Sequence, residues 1–438
     1  MARKTFDSKC VGMEEMLILQ MSLNYRQNDA KRIGERKMQR PVGRYVIVFL
    51  AVMVCLMIML TMVFMIPDDL IKTHQETSLY IVDEMENNIW FGNFFGRKES
   101  RLDQQTDRIM IRNVMPEIKE MSAFQKALYM NGYGRYWHGY VLYLRFLMVF
   151  FDLWEIRYIN MIVFFVLFAA DIGLISKKIH GKKGFFTALL FSLSIVLCYI
   201  VIITSCLQYY SSFLVMLIVS AIVLVMNDNN KYSMLFMITG IVTNFVDFLT
   251  VPLITLGMPL LILIVKEDDS LKENSYGRQL LFLMRQCLAW GAGYGVCWIS
   301  KWILSMWMLP QEYIDTSVSQ HALFWLSDAG AGTRLWAFRM NIPYYFAGHG
   351  MKIMLLSLAI PIALGIIGSI YHKKYNKIAS LYLIVAFMPY LWYFVFNGHS
   401  FYHAWFTFRL QAVTLFGIGL FLLERIDFDR LDSIGKHQ

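Results

Sequence analysis

The stretch YVIVFLAVMVCLMIMLTMVFM at residues 45–65, followed by IPDD at residues 66–69, decides the class of this chain. A hydrocarbon core about 30 Å thick takes roughly 20 apolar residues in a helix, and the first segment supplies them without one charge. Pro67 then breaks the run, and Asp68 and Asp69 put two carboxylates at what becomes a membrane face.

Runs of this kind recur almost to the end of the chain, at residues 156–176, 185–206, 211–226, 233–248, 252–265, 280–307, 351–370, 378–396 and 404–423. With the first run taken as 45–66, about ten spans are predicted. Unpaired backbone groups cannot face lipid, so such segments form helices or close as a barrel, and their lengths exclude barrel strands. The predicted class is all-α, a polytopic helical membrane protein.

The formal net charge of +9 suggests nucleic acid less than its distribution suggests a membrane. Arg3, Lys4, Arg26, Lys31, Arg32, Arg36, Lys37, Arg40 and Arg44 precede the first run and place the N-terminus in the cytoplasm. Counting spans from there, Lys177, Lys178, Lys182, Lys183, Lys231, Lys266, Lys272, Arg278, Lys373, Lys374 and Lys377 also fall inside. The short outer turns at 207–210, 249–251 and 397–403 carry no Lys or Arg, and an even span count leaves the C-terminus inside. The predicted organisation is a basic cytoplasmic tail at 1–44, a transmembrane domain at 45–423 and a cytoplasmic tail at 424–438.

The first run is full length, follows a polar segment and lacks a small-residue cleavage pattern, so it is expected to stay as an anchor. All six cysteines lie in the N-terminal tail or in spans, which leaves the outer loops without a disulfide framework. A Walker-type phosphate loop is absent from the sequence, which argues against an ATP-driven pump.

Two outer loops, at about 67–154 and 309–350, exceed simple connectors. The first mixes Ile81, Met85, Ile89, Trp90, Phe91, Phe94 and Phe95 with charges at near-helical spacing, which predicts amphipathic helices on the membrane surface. Residues 140–151 are apolar but too short to span and contain Arg145, so an interfacial or re-entrant helix is expected there, bringing Arg135 and His138 to the membrane face. The second loop mixes Trp325, Asp328, Gly330, Gly332, Arg334, Trp336, Arg339 and His349, a composition that suits a headgroup or carbohydrate site and equally any interfacial loop.

Three clusters could carry chemistry. A carboxylate at Asp68 or Asp69 can deprotonate a hydroxyl if burial or its neighbour raises its affinity for protons; otherwise the pair caps the helix after Pro67. Asn244 and Asp247, three apart, are predicted on one helix face near a span end, with Lys301 as the candidate partner of Asp247. His399, His403 and Arg409 open the last span, where Arg offers a forked donor for phosphate and His can share that role or relay a proton. Two histidines four apart also form half a metal site, but no Glu follows the first as in zinc proteases, and a hydrogen-bonded interfacial cluster is the plainer alternative. No definite cofactor follows, with a divalent cation left open.

In its ten predicted spans, inside N-terminus, acid directly after the first span and long first outer loop, the chain resembles the GT-C superfamily of integral-membrane glycosyltransferases. The resemblance covers most of residues 45–423. It implies a polyprenyl-phosphate-linked sugar as donor, a glycan, lipid or protein acceptor on the extracytoplasmic face, and Asp68 or Asp69 as the base. The donor's phosphate would be held by Arg409, His399 or Arg135, with His138, Asn244, Asp247, Lys301 and His403 as further substrate-binding candidates. The chain departs from that superfamily in lacking a large soluble C-terminal domain and an evident second acidic motif. The alternative is a transporter or flippase for a lipid-linked or anionic solute, in which Asp247, Lys301 and Arg285 line a central path. Gly291, Gly293 and Gly295 give that reading a broken-span signature, unless close helix packing accounts for them.

Overall fold

A computed structural model describes residues 42–85, 104–327, 334–347, 351–370 and 377–428. Ile89, Trp90, Phe91, Phe94, Phe95, Asp328, Gly330, Gly332 and His349 lie outside the described residues. The chain divides into two units, Met1–Val54 and Cys55–Gln438. The described part of the first is the N-terminal portion of helix α1.

The architecture is helical, and the described residues contain no extended strand. Helix α1 (Val42–Phe64) is followed by four shorter loop helices, α2 (Asp69–Tyr80), α3 (Gln104–Arg112), α4 (Ala123–Tyr129) and α5 (Val141–Leu147). The bundle continues with α6 (Leu153–Lys178), α7 (Gly181–Val196), α8 (Ile200–Ser205), α9 (Leu207–Val225), α10 (Tyr232–Val246), α11 (Ile254–Lys266), α12 (Asp268–Lys272) and α13 (Tyr276–Met308). A second loop region holds α14 (Val318–Leu326) and α15 (Leu335–Ala347). The chain then runs through α16 (Met351–Ile370), α17 (Ala379–Ala386), α18 (Met388–Val395), α19 (Asn397–Tyr402), α20 (Ala404–Thr407) and α21 (Gln411–Glu424).

Among the described residues, four continuous helical segments are long and apolar enough to cross a membrane: Val42–Phe64, Leu153–Lys178, Leu207–Val225 and Ala404–Glu424. Two other apolar runs, at 185–206 and 378–396, are divided by their backbone. The run at 185–206 breaks where Tyr199 takes a left-handed conformation (φ 61°) and Cys206 an extended one, so the expected turn at 207–210 is the first turn of α9. Local signals set several ends. Asp152 caps α6 by accepting from the Trp154 amide at 2.9 Å, and Glu155 answers by accepting from the Asp152 amide at 3.0 Å.

Helices α10 and α13 approach with backbone in contact. A Cβ at Gly240 would stand 2.1 Å from the Trp290 carbonyl oxygen, and one at Gly293 would stand 2.2 Å from that of Met237. Gly293 is therefore a packing residue. Gly291 and Gly295 face open space, and α13 runs unbroken through all three.

The loop helices are anchored by buried charges. Arg157 on α6 donates to Asp107 on α3 at 3.2 Å and to the Ser205 carbonyl at 2.7 Å, while Asp107 also accepts from the Leu207 amide at 3.0 Å. Arg145 on α5, the helix expected to be interfacial or re-entrant, is fully buried. It donates to the carbonyls of Val63 (2.9 Å), Ile66 (2.5 Å) and Val114, and to Asp68 at 2.8 Å. One guanidinium thus gathers the end of α1, the start of α2 and the segment after α3.

Candidate functional site

The segment between α4 and α5 is strained and held. Met130, Asn131 and His138 adopt positive φ (46°, 52° and 54°), a region that side chains with a Cβ occupy only when their surroundings enforce it. Asn131 accepts from the Glu117 amide at 2.9 Å and donates to the Met115 carbonyl at 2.9 Å. The Gly139 amide donates to the Phe245 carbonyl at 2.7 Å, and a Cβ on Gly139 would stand 2.6 Å from that same oxygen, so the close approach requires glycine. Trp137 donates to the Cys297 carbonyl at 2.8 Å, and Trp298 and Trp302 on α13 both donate to the Arg135 carbonyl, at 3.0 and 3.3 Å.

This grip fixes Arg135 between two cavities. The larger, about 220 Å³, is lined mainly by aromatic and aliphatic groups, among them Leu249, Trp298, Trp302, Leu326 and Phe396, together with His321. The smaller, about 100 Å³, is more polar and takes in Gln208, Thr250, His399 and His403. Arg135, Tyr136 and Trp325 line both. The Arg135 guanidinium lies 4.5 Å over the Tyr133 ring, and its Nε and Nη1 are buried with no hydrogen-bond partner. Unsatisfied buried donors are costly, and donors at a cavity wall are placed to meet an acceptor that enters it.

The two histidines line the same smaller cavity, their rings 4.9 Å apart, with Trp325 at 5.2 Å from His399 and 5.0 Å from His403. Burial, reinforced by His403, holds the His399 imidazole well below its ordinary pKa, so it is neutral. Among the described residues no group of three metal-ligating side chains is present.

Other sequence candidates have local partners. Asp247 is not on the face of Asn244 within one helix: α10 ends at Val246, and Asp247 is its extended cap residue. Its carboxylate accepts from Ser212 Oγ at 2.7 Å, the Thr250 amide at 2.9 Å and the Val251 amide at 3.4 Å. It thereby holds the turn in which Leu249 takes φ 67° against the larger cavity. Lys301 does not pair with Asp247; its Nζ donates to the Leu128 carbonyl at 2.6 Å and lies 5.3 Å over Trp137. Arg409 is fully buried, donating to the carbonyls of Cys198 (3.0 Å) and Trp405 (3.1 Å), with Tyr209 stacked at 4.0 Å. His138 is buried behind the wall, donating through Nε2 to the Tyr133 carbonyl at 2.7 Å. Its burial pushes the imidazole down to about 3, a direction that Lys301 and Arg135 reinforce. Asn244 is buried with its Oδ1 unpartnered and lines neither cavity.

Asp68 occupies the position before α2 without capping it through its side chain, its carboxylate being paired with Arg145. Asp69 is exposed in the first turn of α2. Neither lines either cavity. Of the predicted residues, Arg135, His399 and His403 converge on one site. Tyr133, His321, Trp298 and Trp302 were not foreseen, although Trp290, Tyr294, Trp298 and Trp302 form an aromatic stripe at spacing four that is visible in the sequence.

No protein-family model, no curated protein and no solved structure matches the chain.

Proposed function

We propose that this protein is a multi-pass membrane glycosyltransferase of about ten spans with both termini cytoplasmic. It moves a sugar from a polyprenyl-phosphate donor to an envelope glycan, lipid or protein acceptor on the extracytoplasmic face. The observation that supports this reading most is the Arg135 guanidinium, its buried Nε and Nη1 without a hydrogen-bond partner, at the junction of an apolar and a polar cavity. A lipid-linked phosphate sugar has the same division, with a chain for the aromatic cavity, a phosphate for Arg135 and hydroxyls for Gln208, Thr250 and the histidines. The sorting of basic residues supports the topology.

The test is binding of decaprenyl phosphate to the full chain in nanodiscs, with inorganic phosphate as the second arm. Arg135→Gln is expected to weaken decaprenyl phosphate binding by roughly 10- to 100-fold, the loss of about 1.5–3 kcal/mol for a charge-assisted hydrogen bond. Inorganic phosphate alone is expected to bind poorly, because it leaves the apolar cavity empty. Equal affinity of wild type and Arg135→Gln for decaprenyl phosphate would overturn the reading.

A further inference from the structure

The larger cavity is far smaller than the lipid chain of the donor assigned to it. A dry cavity of about 150 Å³ lined by aliphatic and aromatic groups is filled by one benzene. On that scale the cavity of about 220 Å³ takes roughly nine carbons, close to two isoprene units.

Its walls are fixed at that size. Trp298 and Trp302 on α13 are held in orientation because both indole N–H groups donate to the Arg135 carbonyl, at 3.0 and 3.3 Å. Tyr136 stacks on Trp298 with ring centroids 6.0 Å apart. On α14, Val318, Ala322, Trp325 and Leu326 line the cavity from one helical face, at positions i, i+4, i+7 and i+8. The two tryptophan bonds tie this apolar wall to the residue that meets the phosphate, so the units held there are those next to the phosphate. The cavity is not closed: Leu326 in its wall is 39% exposed, and Leu323 and Phe324 on the same helix are exposed at 69% and 42%. Adjacent exposed apolar side chains suit lipid, and the rest of a long chain can leave past them into a bilayer as apolar as the protein interior.

We infer that the site recognises the phosphate together with the two isoprene units next to it and is indifferent to the rest of the chain, an inference that rests on the reading above. The ligand class is then prenyl phosphates of two or more units, whatever their length. One unit leaves about half of the void empty, which costs affinity. A third unit only exchanges one apolar surrounding for another.

The test measures binding of isopentenyl, geranyl, farnesyl and decaprenyl phosphate to the full chain in nanodiscs, each affinity corrected for the ligand's partition into protein-free nanodiscs. From isopentenyl to geranyl phosphate the affinity is expected to rise roughly 10- to 100-fold, as the second half of the void fills. From geranyl through farnesyl to decaprenyl phosphate it is expected to stay within about threefold. Ala322→Phe, which fills the cavity from α14, should weaken geranyl and decaprenyl phosphate by roughly tenfold or more and leave isopentenyl phosphate nearly unchanged. The wild-type series decides even where that variant fails to fold. A steady rise from geranyl to decaprenyl phosphate, or no rise from isopentenyl to geranyl phosphate, alongside lost binding in Arg135→Gln, would overturn this inference and leave the transferase reading standing. Decaprenyl phosphate bound equally by wild type and Arg135→Gln would overturn both.

Discussion

The two ends of the last apolar segment treat charge in opposite ways. At the end of α21, Glu424 accepts from Lys183 at 2.7 Å and from Lys272 at 2.8 Å, and Asp268 pairs with the same two lysines, each at 2.5 Å. Each of these four groups has an opposite partner, although Asp268 Oδ1 is buried without a hydrogen bond, and α7, α12 and α21 are joined by the pairs. Before the other end, His399 and His403 line a cavity together with Arg135, whose buried Nε and Nη1 have no acceptor. Paired charges hold helices together, whereas unpaired donors at a cavity raise the free energy of the empty protein and lower that of a complex.

Breaking the satisfied end should have the largest effect on stability. Glu424→Ala leaves two lysines sharing Asp268, and a loss of roughly 2–4 kcal/mol is expected, near the lower part of the range for buried pairs because the lysine side chains are about a quarter exposed. Thermal unfolding in detergent measures it, and an unchanged midpoint would mean that the cluster is a surface feature.

Acid should sharpen the comparison from the other side. His138 is buried neutral behind the cavity wall, with a folded pKa of about 3 against an ordinary 6.5. The unfolded chain therefore binds the extra proton between those values, so stability falls as pH drops below about 6.5, by roughly 1.4 kcal/mol per pH unit, until the folded ring titrates near 3. Comparing midpoints at pH 7 and 4.5 in wild type and His138→Gln isolates this contribution, which the variant should lack.

The smallest effect is expected at Arg135. Arg135→Leu removes two unsatisfied donors and loses a contact with Tyr133, so the ligand-free protein should gain about 1 kcal/mol or stay unchanged while binding is lost. A destabilisation comparable to that of Glu424→Ala would place Arg135 with the structural charges and dissolve the contrast.

Much of the helical architecture and part of the site could be read from the chain. Of the ten apolar runs, those at 45–66, 156–176, 211–226 and 404–423 coincide with helices that are long and apolar enough to cross a membrane among the described residues, because a bilayer offers the backbone no other donors or acceptors. Arg135, His399 and His403 stood out as polar groups beside aromatic residues in otherwise apolar surroundings. His321 did not, since nothing in its neighbours along the chain distinguishes it from any loop histidine; only the shared face of α14 with Trp325 hints at its place.

What composition and spacing determined by themselves was the class: helices, their approximate limits, and which polar residues deserved scrutiny. Only tertiary structure decided which charges are spent on the fold. Asp68 meets Arg145 across 77 residues, Lys301 meets the Leu128 carbonyl across 173, and Arg409 meets that of Cys198 across 211. The physical reason is that hydropathy is a local property of the chain. The partner that satisfies a buried charge is supplied by whichever distant backbone or side chain the packing brings within hydrogen-bonding distance.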